Sequence, residues 1–200
     1  GLLALHSVTF SHRWLHEANV LTEEMVRLFW DDGSERFYDV GSDHETLIVR
    51  PNDLSDNAMP SGSSAATEAL IKMATITGET SYLDKASRSL RTVVPLVARY
   101  PTGFGNWLQV MEIYLTRPIE LVIIGDPAER VTRGLLDAVR TRFLPDITLL
   151  GCNPKLEQEV FPSPLLEGRL GTNEATAYVC RGYVCDLPAR DPSVLEAQLE

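Results

Sequence analysis

Residues 2–28 and 70–96 carry one pattern twice. The first segment presents Leu2, Leu5, Val8, Thr9, Trp14, Leu15, Ala18, Met25 and Leu28. The second, 68 positions on, presents Leu70, Met73, Ile76, Thr77, Tyr82, Leu83, Ala86, Val93 and Leu96. Each pair is identical or similar; the match is poorer where Leu21 faces Ser89 and Thr22 faces Leu90. Such a repeat implies one structural unit stacked on copies of itself, and the unit reads as two helices joined by a short turn. Hairpins at this long period fit an α/α toroid better than a short-period solenoid. A closed six-hairpin toroid would need several more hairpins upstream.

Helical spacing places a core stripe on Trp14, Ala18, Leu21, Met25 and Leu28, with Ser11 as N-cap. Phe37–Val40 and Leu47–Arg50 read as short strands or extended loops. A polar run from Pro51 to Ser64 leads into a helix over about 65–77, closed by Gly78. Ser81 and Asp84 resemble a capping box for the next helix, which Pro95 should kink or interrupt. A further helix is predicted over about 104–116. Composition then changes: Arg117-Pro118 breaks the helical pattern and Glu120–Gly125 reads as a buried strand. Asp126 as N-cap and Pro127 at N1 open a helix expected to reach about Phe143. A strand at 147–150, a long loop at 153–174, a strand or hairpin at 175–184 and a helix from Asp191-Pro192 complete a small α/β unit. The expected fold is therefore mainly α. Residues 1–116 form helical hairpins of a partial, six-hairpin-glycosidase-like α/α toroid, and 117–200 form the small α/β unit.

A net charge of −10 disfavours nucleic acid, which needs clustered Lys and Arg. Apolar runs such as Leu121–Ile124 are far short of a membrane span, and no basic amphipathic stretch suggests a membrane surface. Three cysteines do not make a secreted disulfide framework, so a reducing, cytoplasmic setting is expected. The chain opens Gly-Leu-Leu-Ala-Leu, which reads as part of a helix already under way. The expectation is a C-terminal piece of a longer protein.

The run Asp56-Asn57-Ala58-Met59-Pro60-Ser61-Gly62-Ser63-Ser64 resembles a signature of the thioredoxin-domain-containing, spermatogenesis-associated-protein-twenty-like family. Phe29-Trp30-Asp31, Leu47-Ile48-Val49-Arg50-Pro51, Thr77-Gly78 with Tyr82, Leu121–Gly125, and Ala177–Arg181 followed by Cys185 resemble further family segments, in the family order. The resemblance implies an N-terminal thioredoxin-like domain, absent from this chain, then a toroid, then a small C-terminal region. It supplies no established reaction.

Asp53, Asp56, Asn57, Ser61 and Ser63 are the main candidate site. A carboxylate pair among amide and hydroxyl groups at a toroid mouth could bind sugar hydroxyls or act as acid and base. The competing reading is helix capping. His12 and His16 have zinc-compatible spacing but sit opposite the expected stripe, so they read as a solvated face and no metal site is expected. His6 and His44 are isolated. Cys180 and Cys185 flank Gly182 and the turn it predicts; a thiol pair is the functional reading, and inert free thiols are the expectation in a reducing compartment. Cys152 has no evident partner. Gly125-Asp126-Pro127 lacks the spaced glycines of a dinucleotide turn and reads as a cap. No cofactor is predicted. Two functions follow: a toroid that binds or acts on a carbohydrate-like ligand through the 53–64 loop, or a non-catalytic structural and interaction module serving the thioredoxin-like domain.

Overall fold

In the computed structural model, described for residues 1–45, 48–155, 160–171 and 174–200, the helices fall where the repeat places them. Helices α1 (Leu2–Thr9) and α2 (Arg13–Phe29) form the first pair, and α3 (Gly62–Thr77) and α4 (Thr80–Arg99) the second. Each pair is joined by a residue in the left-handed region at the same point of the repeat, Phe10 (φ 59°) and Gly78 (φ 74°). A two-stranded hairpin, β1 (Trp30–Asp31) with β2 (Arg36–Phe37), separates the pairs, and α5 (Gly105–Thr116) follows them. The remainder is β3 (Ile119–Ile124), α6 (Arg130–Arg140), β4 (Ile147–Cys152), β5 (Thr176–Arg181), β6 (Val184–Cys185) and α7 (Pro192–Gln198). About 51% of the described residues are helical, so the fold is mainly α with a smaller β component.

The chain divides into two compact units. One comprises residues 1–18, 75–78 and 117–200; the other comprises 19–74 and 79–116.

In the α/β unit the strand order is β4-β3-β5-β6, with β3 parallel to β4 and antiparallel to β5. Every residue of β3 is buried. Because alternate side chains face opposite sides of a strand, Leu121 and Ile123 join a core with Leu135, Val139 and Leu195 from α6 and α7. Val122 and Ile124 join a second core with Leu15, Ile76, Leu150, Phe161 and Leu165. An apolar run buried on both faces is what a central strand in a layered α/β unit requires.

The outer edge of β4 is completed by two imidazoles. The Gly151 N–H donates to His6 Nε2 (3.1 Å), and His12 Nε2 donates to the Gly151 carbonyl (2.9 Å). His6 Nδ1 donates to Ser11 O (3.1 Å), while His12 Nδ1 accepts from the Phe161 N–H (2.8 Å). Each ring donates at one nitrogen and accepts at the other, so both are neutral, with opposite tautomers. The rings meet edge-on, with centroids 5.5 Å apart. Only glycine fits between them, because a Cβ on Gly151 would fall inside the fully buried Phe10 ring.

These contacts correct the reading of α2. The buried stripe is Leu15, Ala18 and Thr22, one residue round from the expected one; Leu21 is 59% exposed. A rotation of about 100° carries His12 from the expected solvated face into the core, and His16 packs edge-on against Phe161.

Other boundaries shift by local chemistry. Helix α4 runs through Pro95, which removes one N–H donor without ending the helix. Its N-cap is Glu79, whose carboxylate accepts from the Ser81 N–H (3.0 Å), rather than Ser81 itself. Helix α6 begins only at Arg130, because Asp126 turns back on the Ala128 N–H (2.8 Å); it ends at Arg140, leaving Phe143 exposed. Asp191 caps α7 as predicted, accepting from the Ser193 N–H (2.9 Å) with Pro192 at the first position. Leu47 of the segment at 47–50, read as a short strand or extended loop, lies outside the described residues, and 48–50 form no strand.

Burial above all, with the neighbouring His12 adding to it, lowers the His6 pKa from 6.5 to about 4. The folded state therefore binds fewer protons than the unfolded chain between those values. Stability should be intact above pH 6.5 and be lost as pH falls toward 4, by about 3 kcal/mol from this group. An NMR titration of the His6 ring should give a midpoint near 4. A midpoint near the ordinary histidine value would contradict the clamp.

Candidate functional site

The candidate loop is built around Asp56. One carboxylate oxygen accepts from the Ser61 N–H (2.8 Å) and the Ser64 hydroxyl (2.8 Å). The other accepts from the Trp107 N–H (3.0 Å), and the Asn106 N–H also bonds to the carboxylate. Ser61 and Ser64 lie at the start of α3, and Asn106 and Trp107 lie in the first turn of α5. One side chain thus serves the exposed donors of two helix N-termini, where the helix dipole also favours negative charge. Burial opposes ionisation of Asp56, but these four donors together outweigh it and hold the carboxyl below its ordinary range.

The surrounding residues extend the same work. Ser61 Oγ accepts from the Ser64 N–H (3.2 Å), as an N-cap does. Asn106 Nδ2 donates to Ser64 Oγ (3.0 Å), and the Asp56 N–H donates to Gly103 O (2.8 Å). The fully buried Trp107 donates its indole N–H to Leu54 O (2.8 Å). Ser63 donates to the Phe37 carbonyl (3.2 Å) and accepts from Asn52 Nδ2 (3.1 Å), tying the loop to β2. Asp56 is thus partly buried and hydrogen-bonded.

Asp53 and Asn57 behave differently. Both are exposed. Asp53 accepts from the Ser55 N–H (2.9 Å) and donates its own N–H to Asp39 (2.8 Å). With Asp39, Ser55, Met59 and Ser61 they line a cleft of about 290 Å³. Among the described residues no aromatic ring lines it. The candidate residues therefore separate into residues hydrogen-bonded into the fold (the partly buried Asp56 and the buried Ser61 and Ser63) and an exposed polar rim (Asp53, Asn57).

Cys180 and Cys185 stand directly opposite each other on β5 and β6, with Cα atoms 3.9 Å apart, and are joined as a disulfide. This corrects the expectation of free thiols. The two-residue turn at Gly182-Tyr183 pairs the cysteines face to face, a proximity that sequence spacing only suggested. Cys152 is buried and free of any disulfide. Sequence reading missed the His6–His12 pair. Among the described residues, no group of three His, Cys, Asp or Glu side chains could hold a metal ion, and no helix is long and apolar enough to cross a membrane.

No family model matches the chain. Over its whole length the chain is homologous to spermatogenesis-associated protein 20 of Homo sapiens, at 26% identity over 208 residues, and of Mus musculus, at 26% over 211 residues. An uncharacterized protein of Caenorhabditis elegans is 22% identical over 197 residues, 98% of this chain. The chain spans about a quarter of the length of these relatives.

Replacing Asp56 with Ala should strand donors at two helix starts and cost about 2–4 kcal/mol in urea unfolding. Asp53→Ala and Asn57→Ala should change the unfolding midpoint little. Equal losses in all three variants would show that the caps do not carry the loop.

Proposed function

We propose that this region is a non-catalytic structural and interaction module of a longer protein. The observation that carries the reading is the full engagement of the Asp56 carboxylate by donors of α3 and α5. A carboxylate held ionised and enclosed by four donors is poorly suited to give or take a proton. In this reading the helical hairpins are the last part of an α/α toroid and a thioredoxin-like domain lies elsewhere in the longer, cytoplasmic protein. The region supports that domain and performs no reaction through the 53–64 loop.

A second reading is favoured by one observation. Asp39, Asp53, Ser55 and Asn57 present polar groups around the 290 Å³ cleft, a size and chemistry compatible with a carbohydrate-like ligand. That ligand would meet the rim and not Asp56.

Two measurements separate the readings. In the longer protein, deletion of this region should lower the melting temperature of the thioredoxin-like domain. Mono- and oligosaccharides at millimolar concentration should leave the NMR signals of Asp53 and Asn57 unmoved. Saturable shifts at those residues, abolished by Asp53→Ala, would overturn the module reading in favour of the ligand reading.

A further inference from the structure

The β5–β6 hairpin places a disulfide beside a fixed cation. Arg169 Nη2 lies 2.8 Å from Cys185 Sγ and 3.4 Å from Cys180 Sγ. Its Nη1 donates to the Leu165 carbonyl (2.7 Å), and its guanidinium lies over the Tyr178 ring, 4.9 Å from the centroid. The cation is therefore held at the sulfurs and is not sweeping through solvent. Glu120, opposite Cys180 in the sheet, turns its carboxylate to the Tyr183 N–H (2.9 Å) at the hairpin turn.

The two sulfurs differ in access. Cys180 is fully buried, while Cys185 is half-buried near the end of the hairpin. Around it Tyr183, Val184 and Leu187 are exposed, leaving an apolar rim on which a partner could rest. A disulfide serving only as a staple would be expected to close a long loop. This one joins residues five apart that the hairpin already pairs, so it adds little restraint.

We propose that Cys180–Cys185 is a thiol–disulfide exchange site for a dithiol, with Arg169 stabilising the sulfur that departs. A thiolate of the dithiol attacks Cys185 Sγ, and a new S–S bond forms. The Cys180–Cys185 bond breaks, and its electron pair leaves on Cys180 Sγ, beside the Arg169 guanidinium. The dithiol's second thiolate then attacks its own sulfur in the mixed disulfide and expels Cys185 Sγ. The dithiol is oxidised to a disulfide and the hairpin gains two electrons, with the two thiol protons of the dithiol balancing the reduced pair. A cation favours the thiolate over the thiol, which makes it both a better leaving group and a better nucleophile in reverse.

The test is redox equilibration of the full chain with dithiothreitol under native conditions, read by differential alkylation and mass spectrometry. The bond should reduce while circular dichroism stays native. Arg169→Gln should shift the equilibrium toward the disulfide by about tenfold, equivalent to about 30 mV for a two-electron couple, and move the pH midpoint of thiol alkylation upward. Arg169→Lys should retain part of both effects. Should Arg169→Gln fail to fold, single-cysteine variants test the same order of attack. Reduced Cys180→Ser should form a mixed disulfide with oxidised glutathione at Cys185 about tenfold faster than Cys185→Ser does at Cys180, in line with access control of exchange. A bond that stays oxidised until the chain unfolds, an alkylation profile indifferent to Arg169, or faster capture at Cys180 would each overturn the proposal.

Discussion

The helical unit depends on a single carboxylate. The first turns of α3 and α5 expose N–H groups that their own helices cannot satisfy. Asp56 meets both sets from a loop that precedes one helix by a few residues and the other by about fifty. A loop held this way is rigid where its sequence looks merely polar. Ser61 caps its own helix, Ser63 anchors to Phe37, and Trp107 closes the arrangement from the second helix. The chemistry that makes the run look like a ligand site, dense in Asp, Asn and Ser, is the chemistry of capping.

The α/β unit meets a similar demand with different groups. Among the described residues no further strand pairs with the outer edge of β4, and an open edge invites unwanted pairing. His6 and His12 supply one acceptor and one donor at Gly151, and Phe10 fills the space a side chain would occupy. Both rings must stay neutral to do so, which ties this part of the fold to pH. A turn residue of α1 and a glycine of β4, about 140 positions apart, are thereby coupled through one steric fit.

Much of the architecture was legible because it rests on local periodicity. The repeat located four helices, Gly78 marked the end of α3, and the run Glu120–Gly125 marked the central strand, observed at Ile119–Ile124. The Asp191-Pro192 start and the Gly182 turn followed from chemistry confined to a few residues. What failed depended on distant partners. Trp14 and Leu21 looked more core-like than Leu15 and Thr22, and nothing local revealed which face β4 and Phe161 would cover. The Asp56 donors on α5, the Arg169 contact to both sulfurs and the disulfide itself required chain segments to meet in space. The 53–64 loop was chosen for its density of Asp, Asn and Ser. The inward hydrogen bonding of Asp56, Ser61 and Ser63 and the exposure of Asp53 and Asn57 were not visible in that composition.

Asp56 is either enclosed by helix donors or free to serve a ligand. The most direct measurement is a site-specific titration of its carboxyl by carbon-13 NMR, with Asp53 in the same spectra as reference. If the four donors hold it, Asp56 should titrate below the ordinary Asp value of 3.8, with stability retained above that pH and lost as the pH falls through the lowered midpoint. A midpoint at or above the ordinary value would contradict the capping account and return the loop to the ranks of catalytic or ligand-binding sites.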